Sequence, residues 1–160
     1  MWGLDFWAHC ADLCTMLSSS RFAVAVHVLG LLSHYGEKGP VCSAVIAQSV
    51  DTNPVVIRRL MSQLESHGLV NSSTGRSGGF LLARSADQIS LADIYQAVED
   101  EQFFRIHKVD GDSDCPLANG IIKNLMPKLC VASKALLKSL AETRLSDLIS
   151  SAAPVEAALA

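Results

Sequence analysis

The chain has 160 residues, 49% of them hydrophobic and 18% charged, and a formal net charge of −3 at pH 7. A chain of this length and apolar content can bury the core of one compact domain with an appendage, and no apolar run is long enough to span a bilayer. The pI of about 5.9 excludes a strongly basic protein that binds nucleic acid mainly through non-specific charge.

Residues 1–17 are predicted to form an N-terminal extension. Acidic residues interrupt its apolar positions and no basic segment precedes them, so a signal peptide is not expected and the protein is predicted to be cytoplasmic. Cys10 and Cys14 are spaced by about one helical turn, which could hold a metal, although incidental spacing is the favoured interpretation. Met16 is an alternative start of translation, in which case the extension lies upstream of the native protein.

Residues 18–100 begin with two predicted helices that are joined by a tight turn to a third. The first predicted helix, residues 21–35, has one apolar face: Phe22, Ala25, Val26, Leu29 and Leu32. Ser43 is predicted to cap a short second helix, which has its own apolar stripe: Ile46, Ala47 and Val50. Asp51 and Thr52 leave room only for a tight turn before the next helix, so the two helices should cross steeply.

Asn53 and Pro54 predict the start of a recognition helix that would enter a groove of the duplex. The Asn53 side chain can accept from a backbone N–H of the first turn, and Pro54 suits a position that needs no intrahelical donor. Helical spacing turns four residues toward the core: Ile57, Leu60, Met61 and Leu64. Four others are predicted to face DNA: Val55, Val56, Arg58 and Arg59. The alternatives are a solvated helix face for the arginines and a place in the core for the valines.

Two strands, residues 69–73 and 80–84, are predicted to form the wing. The glycines between them are expected to supply the positive φ angles of a hairpin tip: Gly75, Gly78 and Gly79. Arg76 lies at this tip beside Ser77, where it could reach phosphates or the minor groove. Simple solvation of a loop arginine is the alternative.

After the wing, Ser90 and Asp93 have the spacing of a capping box and predict a helix over residues 91–98. Between residues 43 and 85 the chain carries four arginines against two acidic residues, whereas acids outnumber bases from residue 86 onward. Residues 18–100 are therefore predicted to form a winged helix-turn-helix domain that binds DNA. This DNA-binding module is locally positive, and the negative charge lies in a region that would point away from DNA.

Residues 101–120 are predicted to be a loop or sensor region, residues 121–149 a dimerisation helix region and residues 150–160 a flexible tail. The helix region has apolar residues at steps of three and four, as in a coiled-coil seam: Ile122, Leu125, Leu129, Ala132, Leu136 and Leu140. Pro127 is expected to start or kink the helix. A homodimer is predicted, since two-fold symmetry doubles the readout of a palindrome; packing within one chain is the alternative.

These motifs together resemble the Rrf2 family of winged-helix bacterial transcription regulators, and within it most the YwnA type. The resemblance runs from about residue 18 to 149 and rests on residues 20–27, 53–59, 68–70, 75–80 and 89–94. It implies a mainly α fold, in which a winged helix-turn-helix with a two-stranded wing is followed by a long C-terminal dimerisation helix.

The same resemblance implies a function: a homodimeric repressor or dual regulator that binds double-stranded DNA at a palindromic operator. By position it implies that Arg21 and Ser43 lie near phosphates and that Arg76 reaches the minor groove. It also implies that four residues at the start of the recognition helix approach bases and phosphates: Asn53, Val55, Val56 and Arg58.

The resemblance is weakest in the region that would sense a signal. Family members with an iron–sulfur cluster carry three closely spaced cysteines before the dimerisation helix, because a cluster needs several converging thiolates. Here that region offers only Cys115, with His107 before it and Cys130 beyond it, so no cluster is expected. An acidic run at residues 110–114 lacks the turn glycine and the terminal glutamate of a calcium loop. The sequence therefore predicts no metal and no cofactor.

Two cysteines are candidate redox sensors. Cys115 and Cys42 each precede a predicted helix start, where a thiol gains thiolate character, so regulation by oxidation of Cys115 is an alternative mechanism. Reduced, inert thiols are the other interpretation. No nucleophile elbow, phosphate-binding loop or paired His and acidic motif indicates an enzyme. A winged helix used only for protein contacts is the remaining competitor of the DNA-binding interpretation.

Overall fold

The computed structural model describes residues 20–75, 78–99 and 116–151 of the chain. In these residues the structure has six α-helices and one two-stranded antiparallel sheet, which confirms the predicted mainly α winged helix-turn-helix with a two-stranded wing and a long C-terminal helix. The elements in chain order are α1 (Ser20–Tyr35), α2 (Ser43–Ser49), α3 (Pro54–Ser66), β1 (Val70–Ser73), β2 (Gly79–Leu82), α4 (Leu91–Val98), α5 (Pro116–Ala141) and α6 (Leu145–Ser151).

Several predictions concern residues outside the described ones. They are the extension at residues 1–17 with Cys10, Cys14 and Met16, the wing-tip residues Arg76 and Ser77, and residues 152–160 of the predicted tail. The first two residues of that predicted tail, 150 and 151, are instead helical. The candidate sensor Cys115 and the nearby His107 also lie outside them. No described helix is both long enough and apolar enough to cross a membrane.

The hydrophobic core lies where α1, α3, α4 and α6 meet the base of the wing. Ala25, Leu29 and Leu32 of α1 are fully buried, as predicted, but Phe22 and Val26 are only half-buried. The buried stripe of α1 is wider than one face, because this helix contacts α4, α6 and β2 at once. The other large, fully buried side chains of the core are Val28, Ile46, Ile57, Met61, Leu64, Leu69, Val70, Ile89, Ile94 and Leu145.

The cap of α2 is one residue earlier than predicted. Cys42, not Ser43, is the N-cap, and no side chain accepts a hydrogen bond there. The reason is tertiary: the backbone of Val41 exchanges two hydrogen bonds with Phe80 of β2, at N···O distances of 3.0 and 2.9 Å. This pairing holds the chain extended through Cys42, whose carbonyl then accepts the first helical bond, from Ile46. Ser43 is therefore the first helical residue.

The turn between α2 and α3 is tight, as predicted. Asp51 has a φ of +48°, the left-handed conformation that aspartate tolerates better than most residues. The Thr52 N–H donates to the Ala47 carbonyl at 2.9 Å and so closes the end of α2. The chain is thereby returned to an extended conformation at Asn53, from which α3 starts.

The wing is an antiparallel pair in which Val70 faces Leu82 and Ser73 faces Gly79. Both strands are shorter than predicted at the base, since β1 starts after residue 69 and β2 ends at Leu82. Only Gly75 of the three hairpin glycines has a positive φ, of +116°. A positive φ was therefore the wrong explanation for Gly78 and Gly79; an added Cβ would meet backbone atoms at 2.5 Å and 2.6 Å, respectively. These two glycines permit close approach between segments of backbone.

The long helix α5 begins at Pro116, so residues 116–120 are helical and not part of a loop. The helix also continues through Pro127, and the prediction that this proline starts it is wrong. A proline interior to a helix removes one donor, whereas a helix start also needs a preceding chain that leaves the helical conformation. After α5, the segment around Arg144 forms an antiparallel bridge to Ser90, which attaches this part of the chain to the start of α4.

Candidate nucleic-acid interface

The first turn of α3 is fixed by its cap. Asn53 is extended, with a φ of −80° and a ψ of 135°, and its Oδ1 accepts a hydrogen bond from the Val55 N–H at 2.8 Å. Pro54 occupies the first helical position, where no donor is needed. The predicted start of the recognition helix is confirmed, and the oxygen of the Asn53 side chain is occupied within the protein.

The two sides of α3 differ as the sequence predicted. Its inner side is buried by Ile57, Leu60, Met61 and Leu64. On the outer side Val55 is 60% exposed and Val56 is 54% exposed, so neither belongs to the core. Arg58 and Arg59 are exposed as well, and within the described parts of the chain no carboxylate forms an ion pair with either. The first two turns of α3 therefore present two apolar and two cationic side chains to the surroundings.

A direct link that the sequence did not reveal ties α3 to the wing. Glu65, in the last turn of α3, accepts hydrogen bonds from the Ser72 hydroxyl at 2.6 Å and from the Ser72 N–H at 2.9 Å. Both bonds lower the pKa of the Glu65 carboxyl below its ordinary value, and the bond from the Ser72 hydroxyl has the larger effect. Glu65 thus occupies an outward N–H of β1 and joins the end of the recognition helix to the middle of the strand. No local pattern encodes a contact of this kind.

Arg84 does not contribute to the exposed charge as the sequence count assumed. It is half-buried, and its Nη2 lies 3.6 Å from Oδ2 of Asp93. The same carboxylate oxygen accepts from the N–H and the hydroxyl of Ser90, at 2.9 and 2.8 Å, which confirms the predicted capping box of α4. Partial burial raises the pKa of Asp93, but the Ser90 hydrogen bonds and the charges of Arg84 and Arg144 outweigh it, so the pKa is lowered. Arg84 anchors the exit of the wing.

The comparisons with known proteins agree with this geometry. A family model described as Rrf2, iron-dependent transcriptional regulator, matches residues 18–151. The chain belongs to the Rrf2 family. It is 37% identical over 132 residues to YwnA of Bacillus subtilis, named as an HTH-type transcriptional regulator; the match covers 82% of this chain and 96% of YwnA. Its class is therefore that of transcription regulators and not of enzymes, as the sequence predicted.

Solved structures give the same result. A crystal structure of a protein described as DNA-binding superposes with a TM-score of 0.65 and 32% identity, over 81% of this chain and 99% of that one. CymR of B. subtilis, described as the global cysteine regulator, superposes with a TM-score of 0.59 and 26% identity, over 85% of this chain and 98% of CymR. The fold of this chain is thus shared with these two solved structures along nearly the whole length of each of them.

The resemblance to the Rrf2 family implies that Arg21 and Ser43 lie near phosphates, and the structure shows what surrounds each of them within the chain. The exposed Arg21 donates from Nη1 to the Val98 carbonyl at 3.1 Å and so caps the C-terminal end of α4. A cation suits this position, because carbonyl dipoles converge at the end of a helix. Ser43 is half-buried in the first turn of α2. A contact of either residue with phosphate remains a prediction.

The iron named in the family description has no visible site in the described residues. Within residues 20–75, 78–99 and 116–151, no three His, Cys, Asp or Glu side chains lie close enough together to hold a metal ion. The two cysteines in these segments, Cys42 and Cys130, are exposed and unpaired, one before α2 and one on α5. The donor set that the structure describes does not fit a cluster.

The long helix α5 lacks the burial expected of a helix inside one compact chain. Not one of its described side chains is buried, although it contacts α4. Four of the predicted seam residues are half-buried, and the other two, Leu125 and Ala132, are exposed. Further apolar side chains of α5 are exposed by half or more of their surface: Leu117, Ile121, Met126 and Val131. Packing within the chain therefore covers part of the predicted seam, and the most exposed apolar side chains of α5 lie outside it.

Proposed function

We propose that this Rrf2 protein is a sequence-specific DNA-binding regulator that acts as a homodimeric repressor at a palindromic operator. The observation that carries the proposal is the outer side of α3, where Arg58 and Arg59 are exposed beside Val55 and Val56 and have no ion-pair partner among the residues that the structure describes. Cations contact phosphates or guanine, and apolar side chains contact base edges, so this combination suits a major groove. Relatives described as DNA-binding and HTH-type support the same reading.

The wing supports a second contact on the same protomer. Glu65 and the β1–β2 ladder hold the hairpin against the end of α3, and Gly75 carries the chain into the tip. In this proposal Arg76 and Ser77 of the tip contact the backbone or the minor groove flanking the site read by α3. Within the described residues Arg58 and Arg59 have no carboxylate partner, which suits contact with phosphates, so DNA is favoured over a protein partner.

The proposed dimer rests on α5. On this helix Leu117, Ile121 and Met126 are exposed by half or more, and the seam residue Leu125 is 40% exposed. Four other seam residues are already half-buried within the chain: Ile122, Leu129, Leu136 and Leu140. A second copy of this helix can therefore remove further apolar surface from water. Each such side chain contributes up to roughly 1.5–3 kcal/mol when it passes from full exposure to full burial, and half-buried ones contribute less. A two-fold dimer places two recognition helices on successive half-sites, about 34–36 Å apart along the duplex.

We further propose that the protein works in the cytoplasm without an iron–sulfur cluster. The segment between α4 and α5 contains one cysteine, Cys115, and a cluster requires several thiolates. An absorbance spectrum of protein purified without oxygen tests this: the proposal expects no cluster band in the visible region, and a stoichiometric band would overturn it. Oxidation of Cys115 stays a separate hypothesis, which Cys115→Ser would refute by leaving peroxide sensitivity of DNA binding unchanged.

Selection from a randomised duplex library tests the main proposal. The full-length protein is expected to enrich a palindrome, to bind it far more tightly than scrambled DNA of equal length, and to form a dimer in analytical ultracentrifugation. Repression is tested with a reporter placed behind the enriched sequence, whose expression should rise when the protein is removed. If no sequence outcompetes scrambled DNA, the proposed function is wrong.

A further inference from the structure

The first turn of α3 exposes two branched apolar side chains that the fold does not use. Val55 is 60% and Val56 is 54% exposed, while Ile57, the next residue, is fully buried and supplies the core contact of this turn. Valine is a weak helix former, so two consecutive valines on a solvent-exposed turn bring no local advantage either. Neither packing nor helix propensity explains this pair, which leaves contact with a partner.

The polar groups near the valines limit what that partner can be. The Asn53 Oδ1 is already engaged by the Val55 N–H, and Pro54 has no N–H to offer. At the tip of the helix these two residues therefore leave the Asn53 Nδ2 as the side-chain donor, and the valines beside it offer only apolar surface. Arg58 and Arg59, which have no ion-pair partner in the described part of the chain, follow one turn later, each three residues after a valine and hence on the same side. The two valines at the start of the helix, followed by two arginines, match the major groove of DNA, where methyl groups lie on the base edges and phosphates lie on either side.

In the major groove, only thymine among the four bases carries a methyl group, at C5 of its ring. We propose that Val55 and Val56 are specificity-determining residues that contact thymine C5-methyl groups, so that each half-site has a thymine facing each of the two valines. This inference rests on the proposed DNA-binding function and adds which bases the first turn of α3 selects. Guanine and cytosine at these positions would lose the methyl contact and gain no hydrogen bond from a valine in exchange.

Deoxyuridine substitution tests the contact one methyl at a time. Starting from the best duplex of the library selection, each thymine is replaced in turn by deoxyuridine, which keeps every hydrogen-bonding group and removes only the methyl. We expect two positions in each half-site at which the Kd rises about fourfold, the effect of losing one buried methyl group. Replacing cytosine by 5-methylcytosine at these positions in a weaker duplex should restore part of the lost affinity.

Two protein variants assign the methyls to the side chains. With Val55→Ala one of the two positions should become insensitive to deoxyuridine, and with Val56→Ala the other; both residues are exposed, so folding should be unchanged. Val131→Ala is the matched control, since it removes the same atoms from an exposed valine of α5. It should leave all deoxyuridine effects as in the wild type.

The outcomes separate this inference from the function on which it depends. If the selected duplex outcompetes scrambled DNA but no deoxyuridine substitution weakens binding, the DNA-binding function stands and the role of the valines is refuted. The same holds if deoxyuridine effects persist unchanged in both valine variants. If no duplex outcompetes scrambled DNA, the proposed function fails and this inference fails with it.

Discussion

Gly79→Ala should weaken the fold through one specific backbone contact. A Cβ at this position would lie 2.6 Å from both the carbonyl carbon and the oxygen of Val41. To reach an ordinary contact of 3.4 Å, the two segments must separate by about 0.8 Å. Such a shift lengthens the two Val41–Phe80 hydrogen bonds from 3.0 and 2.9 Å to distances at which they no longer form. Two bonds at about 1 kcal/mol each predict a loss of about 2 kcal/mol.

Urea unfolding followed by circular dichroism measures this loss. Gly120→Ala is the control, because nothing lies within 4 Å of its Cβ and the residue lies inside α5. That substitution should instead stabilise by roughly 0.5–1 kcal/mol, the difference between alanine and glycine inside a helix. If Gly79→Ala changed the free energy of unfolding by less than about 0.5 kcal/mol, the extended start of α2 would not depend on its pairing with the wing, since substitutions without such a mechanism fall in that range.

Four further substitutions test the interface and its supports. Arg58→Ala should weaken a selected duplex by about 1–3 kcal/mol if Arg58 contacts a base, and equally on all sequences if it contacts phosphate, in electrophoretic mobility titrations with Lys134→Ala as the control. Asn53→Ala should cost about 1 kcal/mol in urea unfolding, through loss of the α3 cap. Because the pKa of Asp93 is lowered in the fold, its carboxylate stabilises the folded protein at pH values above the ordinary carboxyl pKa of about 3.9. The wild type should therefore be more stable than Asp93→Asn at pH 7, and this difference in the free energy of unfolding should shrink as the pH falls below that value. Unfolding measured in a series from pH 7 to pH 3 tests this. Leu136→Glu should convert the proposed dimer to monomer in analytical ultracentrifugation, and an unchanged dimer would place the interface elsewhere.

The features that the sequence predicted well are local ones. Asn53 and Pro54 determine the start of α3 through one side chain and one ring, and the buried side of that helix follows from spacing alone. The same holds for the capping box of Ser90 and Asp93, whose two partners are three residues apart. Where cause and effect lie within one helical turn, the residues themselves contain the information.

The features that the sequence missed depend on partners that are distant in the chain. Ser43 is a good capping residue, yet Cys42 takes the cap because Val41 is held extended by its pairing with β2. Arg84 counts as a free cation in the sequence, but the fold brings it beside Asp93. In both cases a residue's intrinsic preference is overruled by a contact that exists only once the wing has folded back on the helices.

Three sets of tertiary hydrogen bonds connect α3, the wing and the C-terminal helices, so that α3 and α5 should move together. Glu65 joins α3 to β1, and the Val41–Phe80 pairing joins β2 to the start of α2. The third link joins the start of α4 to the segment between α5 and α6: the Leu91 N–H donates to the Thr143 carbonyl and the Leu145 N–H to the Ile89 carbonyl, at 3.0 and 2.9 Å. Backbone pairs of this kind leave little freedom for α4 to move against the C-terminal end of α5. In the proposed dimer, a change in how two α5 helices pack would therefore change the distance between the recognition helices, on which the fit to two half-sites depends.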